Sequence, residues 1–146
     1  MHAVTVSVDG RKEFVPCGKC NFCLESRRAE WSFRLRQELK VSTSAHFLTL
    51  TYEDQKLPRT ADGLGTLLKS DLQKFFKRLR KESVNKLRYY AVGEYGTNTE
   101  RPHYHALLFN CENKVLEETL VTVWSLGQVQ IGTVTDRLST TLQNIT

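Results

Sequence analysis

The sequence predicts an α+β fold in a single domain: a ferredoxin-like (RRM-like) antiparallel sheet with helices on one face. Three observations carry that expectation. Four segments, 47–52, 87–94, 103–109 and 127–134, alternate residue character with the period of a strand. Three others, 24–39, 72–79 and 115–124, repeat apolar residues at helical spacing. In chain order after the first helix they read β-α-β-β-α-β, the split unit whose helices share one side of the sheet. The other side is then open to a ligand, and the central strands are 46–52 and 103–109.

Residues 4–8 alternate and read as a short opening strand. The helix over 24–39 sets Leu24, Trp31, Leu35 and Leu39 near one stripe, with Arg27, Arg28, Arg34 and Arg36 around it. Residues 47–52 are β-branched, aromatic and apolar enough for a central strand. Pro58, Gly63 and Gly65 mark 53–66 as a loop. Ser70 is placed to cap the next helix, whose Leu72, Phe75, Phe76 and Leu79 follow i, i+3, i+4, i+7. A Gly-, Thr- and Asn-rich turn at 94–102 joins the next two strands as an antiparallel pair. Pro102, which cannot donate to a ladder, suits the start of the second. The helix over 115–124 turns Leu116, Leu120, Val123 and Trp124 inward.

At 146 residues the chain is long enough to bury a core, and no stretch approaches the ~18 apolar residues of a membrane span. Its start lacks a signal-peptide pattern, so a cytosolic protein with reduced thiols is expected. Charge is uneven: residues 1–88 carry 18 Lys/Arg against 10 Asp/Glu, residues 89–146 carry 3 against 6. Within 69–88, Lys74, Lys77, Arg78, Arg80 and Lys81 ride on the helix that Ser70 opens. A basic row there is suited to phosphate-backbone binding, although a solvated helix face has the same composition. With Arg101, these are the candidate DNA contacts.

Two clusters carry metal chemistry. His103 and His105 are two apart on a strand and therefore share a face, while Ala106 and Leu108 feed the core from the other. Two neutral nitrogens on one face can grip one divalent cation, which also takes oxygen ligands. Glu94, at the end of the strand paired with 103–109, can reach the same ion. His46 is expected to be incidental, and Tyr104 to face away. The second cluster is Cys17, Cys20 and Cys23, a C-x2-C-x2-C run just before a helix, with the spacing of zinc thiolates. A fourth ligand is open between Cys111, the remaining cysteine, and the weaker choice His2.

The strand Phe47-Leu-Thr-Leu-Thr-Tyr52, followed by Ala91-Val-Gly-Glu-Tyr-Gly96 and Arg101-Pro-His-Tyr-His105, resembles the HUH endonuclease superfamily. Within it, the chain most resembles the replication initiators of Microviridae, single-stranded DNA phages of gokushovirus type. Val15-Pro-Cys-Gly-Lys-Cys-Asn-Phe-Cys-Leu24, Arg27-Arg28, Trp31, the run from Asp71 to Arg80, and residues 127–135 extend the likeness to about 15–136. The resemblance implies a nickase that starts rolling-circle replication. Mg2+ or Mn2+ on His103 and His105 polarises a phosphate of the phage origin, and a tyrosine attacks it and stays bound to the 5′ phosphate. It also implies action in the bacterial host cytoplasm, beside host replication proteins and away from membranes. Residues 1–45 then form a cysteine-bearing segment with a basic helix, 46–136 the nuclease core, and 137–146 the tail.

The tail departs from the pattern. The family's nucleophile lies after the fourth strand in a Tyr-x-x-Lys-Tyr-like helix, whereas this chain has tyrosines at 52, 89, 90, 95 and 104, none of them later. Residues 137–145 can be written in codons that, two bases on, encode Ile-Ile-Tyr-Tyr-Thr-Thr-Lys-Tyr, so a frameshifted or truncated gene is one reading and a short variant the other. The nucleophilic tyrosine is therefore expected to be missing and the tail poorly ordered. The alternative function is a non-catalytic DNA-binding protein with a zinc-stabilised N-terminus. An unrelated metal hydrolase is a third reading, for which the usual barrel needs a longer chain.

Overall fold

The computed structural model of the protein describes residues 2–96 and 101–134. Strands β1 (Ala3–Val8) and β2 (Arg11–Pro16) form a hairpin, followed by helix α1 (Asn21–Val41) and strand β3 (Ala45–Tyr52). Helix α2 (Lys69–Glu82), β4 (Arg88–Tyr95) and β5 (Pro102–Phe109) come next. The short helices α3 (Asn113–Glu118) and α4 (Leu120–Val123) and strand β6 (Gly127–Thr133) complete the order. The main sheet runs β4-β5-β3-β6, antiparallel at every step, with β5 and β3 central. That is the ferredoxin-like order expected of the split unit.

Alternation decides which side each strand buries. Leu48, Leu50 and Tyr52 of β3 and Tyr104, Ala106 and Leu108 of β5 turn to one side and meet Phe75, Phe76 and Leu79 of α2. Leu116, Leu120, Val123 and Trp124 join this core, as their helical spacing predicts. Trp124 stands edge-on to Tyr52, Phe75 and Tyr104, and its indole N–H donates to the Thr51 carbonyl at 2.9 Å. The helices of the split unit therefore share one side.

Helix α1, outside that unit, lies on the other side and covers one half of it. Its Leu35 packs with Phe47, Leu107 and Phe109, flanked by Trp31, Leu39 and Tyr90. The half that remains uncovered carries the polar ends of β3, β4 and β5.

Four local expectations change. The hairpin partner β2 is an addition: Asp9 (φ 49°) and Gly10 (φ 77°) both take positive φ in its two-residue turn, the conformation a primed hairpin turn requires. Ser70 lies inside the first turn of α2 rather than capping it; the N-cap is Leu68, without a side-chain cap bond. The Leu68 carbonyl instead accepts the Tyr104 hydroxyl at 2.9 Å, so tertiary contact sets that helix start. The helix over 115–124 is two pieces meeting at Thr119 (φ −116°, ψ −30°). The strand expected over 87–94 runs one residue later, Arg88–Tyr95. Part of the β4–β5 turn and the tail 137–146 lie outside the described residues.

Candidate metal centre and nucleic-acid face

The site is built by register. Antiparallel pairing sets Glu94 of β4 directly opposite His103 of β5, and Thr49 of β3 opposite His105 on the other flank. All four point to the side of the sheet away from α2. Nε2 of His103 and Nε2 of His105 stand 3.1 Å apart, and a Glu94 carboxylate oxygen lies 3.2 Å from the latter and 3.7 Å from the former. All three side chains are half-buried, so the group is reachable from solvent.

The back of each ring is held. Nδ1 of His103 is 2.9 Å from the Arg101 carbonyl, which can accept but not donate, so the proton sits on Nδ1. Nδ1 of His105 is 3.1 Å from the Thr49 hydroxyl. These contacts turn Nε2 of both rings toward the carboxylate. Bare lone pairs that close repel each other, and a carboxylate beside them adds negative charge, so the cluster calls for a cation. Donors on one octahedral cation of 2.0–2.1 Å bond length sit about 3 Å apart, close to the spacings here. Histidine ligands backed by a carbonyl or hydroxyl are the usual support for a bound metal.

Other residues find less direct places. Tyr104 faces away, as expected: it is buried beside Tyr52, and burial raises both hydroxyl pKa values. His46 is on the helix-covered side, its pKa lowered by burial and its Nε2 without a hydrogen-bond partner among the described residues. The Arg101 guanidinium is turned back onto Asp54 and the Tyr52 carbonyl. Lys74, Lys77, Arg78, Arg80 and Lys81 are exposed on α2, on the opposite side of the sheet from the histidines, with Arg80 over the Tyr89 ring. Tyr89 is on that side too, stacked on Phe76, while Tyr90 shares the site's side but packs against Trp31.

Residue-by-residue reading missed Thr49, Thr51, Gln128 and Gln130, which the β3 register sets on the same open face beside the histidines. Pairing of the two central strands was the signal that could have found Thr49, since a register placing 49 opposite 105 puts its hydroxyl behind the ring. Further along this side, a groove between α1 and β4 is lined by Trp31, Phe33, Arg34, Arg88 and Tyr90.

The thiols form a second group. The sulfurs of Cys17, Cys20 and Cys23 all lie within 4.8 Å of one another, with 4.0 Å between Cys17 and Cys23 and 3.5 Å between Cys20 and Cys23. Main-chain N–H groups of His2 and then Cys23 donate to the Cys20 sulfur and draw its thiol down to about 6. Cys111 is not brought to this group. It is buried in the core under α2, α3 and α4, its thiol facing the Glu112 carbonyl, and burial pushes it up to about 11. A neutral thiol in apolar packing on the far side of the sheet corrects the expectation that it completes the set.

The sequence profile of the replication-associated protein ORF2 family matches residues 45–146. The chain is 39% identical over 111 residues to Replication-associated protein ORF2 of Spiroplasma virus 4, covering 73% of this chain and 35% of that protein. It is 32% identical over 142 residues to Replication-associated protein VP4 of Bdellovibrio phage phiMH2K, covering 82% and 44%. Replication-associated protein ORF4 of Chlamydia phage 1 is 26% identical over 144 residues. The chain thus spans less than half the length of these curated relatives. No solved structure matches.

Proposed function

The chain belongs to the replication-associated protein ORF2 family, and we propose that it initiates phage DNA replication by acting on a single strand at the origin. The observation that carries this reading is the convergence of Glu94, His103 and His105 on the open side of a central strand. Bound there, Mg2+ or Mn2+ would supply the positive charge that stabilises a phosphate under attack.

The chain's own residues do the rest. The Arg101 carbonyl and the Thr49 hydroxyl fix the two imidazoles, so the donors need no reorganisation when a cation and a DNA phosphate arrive. Thr51, Gln128 and Gln130 offer hydrogen bonds beside the phosphate. Aromatic and basic side chains in the groove at α1 suit a single strand leaving the site, because stacking on rings and phosphate pairing are both indifferent to sequence. The outward row on α2 is the contact for DNA that passes round to the other side. The place of action is the bacterial host cytoplasm, and no described helix is long and apolar enough to cross a membrane.

The covalent step has no nucleophile among the chain's five tyrosines. Tyr52 and Tyr104 are buried, Tyr89 and Tyr90 are held in ring contacts, and Tyr95 lies on β4 with its hydroxyl at Thr66. The protein as written therefore binds metal and single-stranded DNA without forming a phosphotyrosine. The test is a Mn2+ titration and an origin single-strand assay on this chain and on a version with a Tyr-x-x-Lys-Tyr tail. Expected are metal binding by both, lost in His103→Ala, and a denaturation-resistant DNA adduct from the tailed version alone. An adduct on any of the five present tyrosines would overturn the tail assignment, and metal affinity unchanged in His103→Ala would overturn the site. DNA binding that is complete without metal, and no adduct from the tailed chain, would favour the non-catalytic DNA-binding alternative.

A further inference from the structure

We propose that one zinc ion, held by Cys17, Cys20 and Cys23 with the His2 imidazole as fourth ligand, staples the β1–β2 hairpin to the start of α1. This site lies outside the nicking centre, and the inference does not depend on that reading.

The hairpin presents a stability problem. No residue of β1 or β2 is buried, and Val4, Val8 and Phe14 are exposed. A two-stranded hairpin without an apolar face to bury is at best marginally stable in water. It nevertheless forms a complete ladder from Ala3↔Pro16 to Val8↔Arg11, and the three thiols stand where it meets α1. A metal crosslink at that junction supplies what burial does not.

Chemistry at the junction favours thiolates. The Cys20 N–H donates to the Cys17 sulfur at 3.4 Å, and the Gly18 N–H donates to Cys23. Gly18 takes φ 74°, the left-handed turn that brings residues 17 and 20 round one point. The start of the 21-residue α1 adds the positive end of a helix dipole, and the Arg27 guanidinium lies against Gly18. Sulfurs on a tetrahedral zinc with 2.3 Å bonds stand roughly 3.8 Å apart, between the 3.5 and 4.0 Å observed. Three thiolates with such spacing leave one tetrahedral position.

Register points to its ligand. The ladder continues one step beyond β1: the Cys17 N–H donates to the His2 carbonyl at 2.9 Å, next to Ala3↔Pro16. Directly opposed residues project to the same face with Cβ atoms about 5 Å apart. His2 and Cys17 are such a pair, and the His2 N–H also reaches Cys20. The imidazole is exposed and stands outside the three-thiol group, so a side-chain rotation completes the set. Cys111 is too deeply placed to compete.

The test uses the whole chain under reductant. One equivalent of zinc is expected by mass spectrometry, lost in Cys20→Ser. Cobalt substitution should give thiolate charge-transfer bands with tetrahedral d–d bands. His2→Ala should keep the charge transfer, change the d–d bands and weaken zinc by at least the roughly tenfold that a lost supporting partner costs. His2→Cys should restore the affinity. Chelation should deprotect the amides of residues 3–16 in hydrogen exchange while β3 and β5 stay protected. Zinc retained by Cys20→Ser, or a hairpin equally protected after chelation, overturns the staple. An unchanged cobalt spectrum and affinity in His2→Ala overturns the fourth ligand.

Discussion

Thr49 sits behind His105 on the central strand, its hydroxyl 3.1 Å from Nδ1. Thr49→Val keeps the β-branched shape and removes that partner, so metal affinity at Glu94, His103 and His105 should fall on the order of 10–100-fold by calorimetry. The melting temperature should shift little. A second single-residue prediction concerns His46. Burial lowers its pKa below the ordinary 6.5 in the folded state, so below that pH the unfolded chain binds more protons. Its contribution to stability is thus whole above pH 6.5 and is lost as pH falls through 6.5 toward the depressed folded value. His46→Leu should flatten the fall in melting temperature between about pH 7 and 5 relative to the parent. The site histidines titrate in both proteins, so the difference between the two curves isolates residue 46.

The edge strand β6 depends on a close approach. A Cβ on Gly127 would stand 2.0 Å from the Thr51 carbonyl oxygen and 2.7 Å from the Glu53 nitrogen, both main-chain atoms that cannot turn away. Gly127→Ala should cost about 1–3 kcal/mol in denaturant melts, the range for forced overpacking, and should displace Gln128 and Gln130 from the open face. Elements also show where the sequence was legible. Strands β3 and β5 declare themselves because each feeds a core from one side and polar groups to the other, and α2 because its buried row is dense. Strand β2 does not: Arg11-Lys-Glu-Phe-Val-Pro16 buries nothing, so there is no alternation to read, although Asp9-Gly10 marked the turn. The placement of α1 was illegible for a related reason. Of its 21 residues, Cys23 and Leu35 alone are buried, too thin a stripe to show which side of the sheet it covers. The pairing of His103 and His105 followed from strand period alone, whereas the exclusion of Cys111 needed the third dimension.

As a whole molecule, the protein separates two kinds of surface. One side of the sheet carries the candidate metal centre, and the exposed basic row of α2 lies behind the other. Lys77→Ala with Arg78→Ala should weaken single-strand binding and reduce the slope of log K against log salt by about 0.7 per lost phosphate contact. Metal affinity should not change, since the sheet stands between. A slope identical to the parent's would show that DNA does not pass round to α2. The central position of β5 has a further consequence, in time rather than in space. Flanked by β3 and β4, it is bonded along both edges, and Tyr104, Ala106 and Leu108 anchor it in the core between and beyond the two histidines. Amides so placed open chiefly when the whole domain opens. The two imidazoles thus ride on what should be the slowest-exchanging strand, while the exposed N-terminal hairpin should exchange first. The donors would then keep their mutual geometry for as long as the fold itself survives, and a cation arriving at any moment would meet a site already assembled.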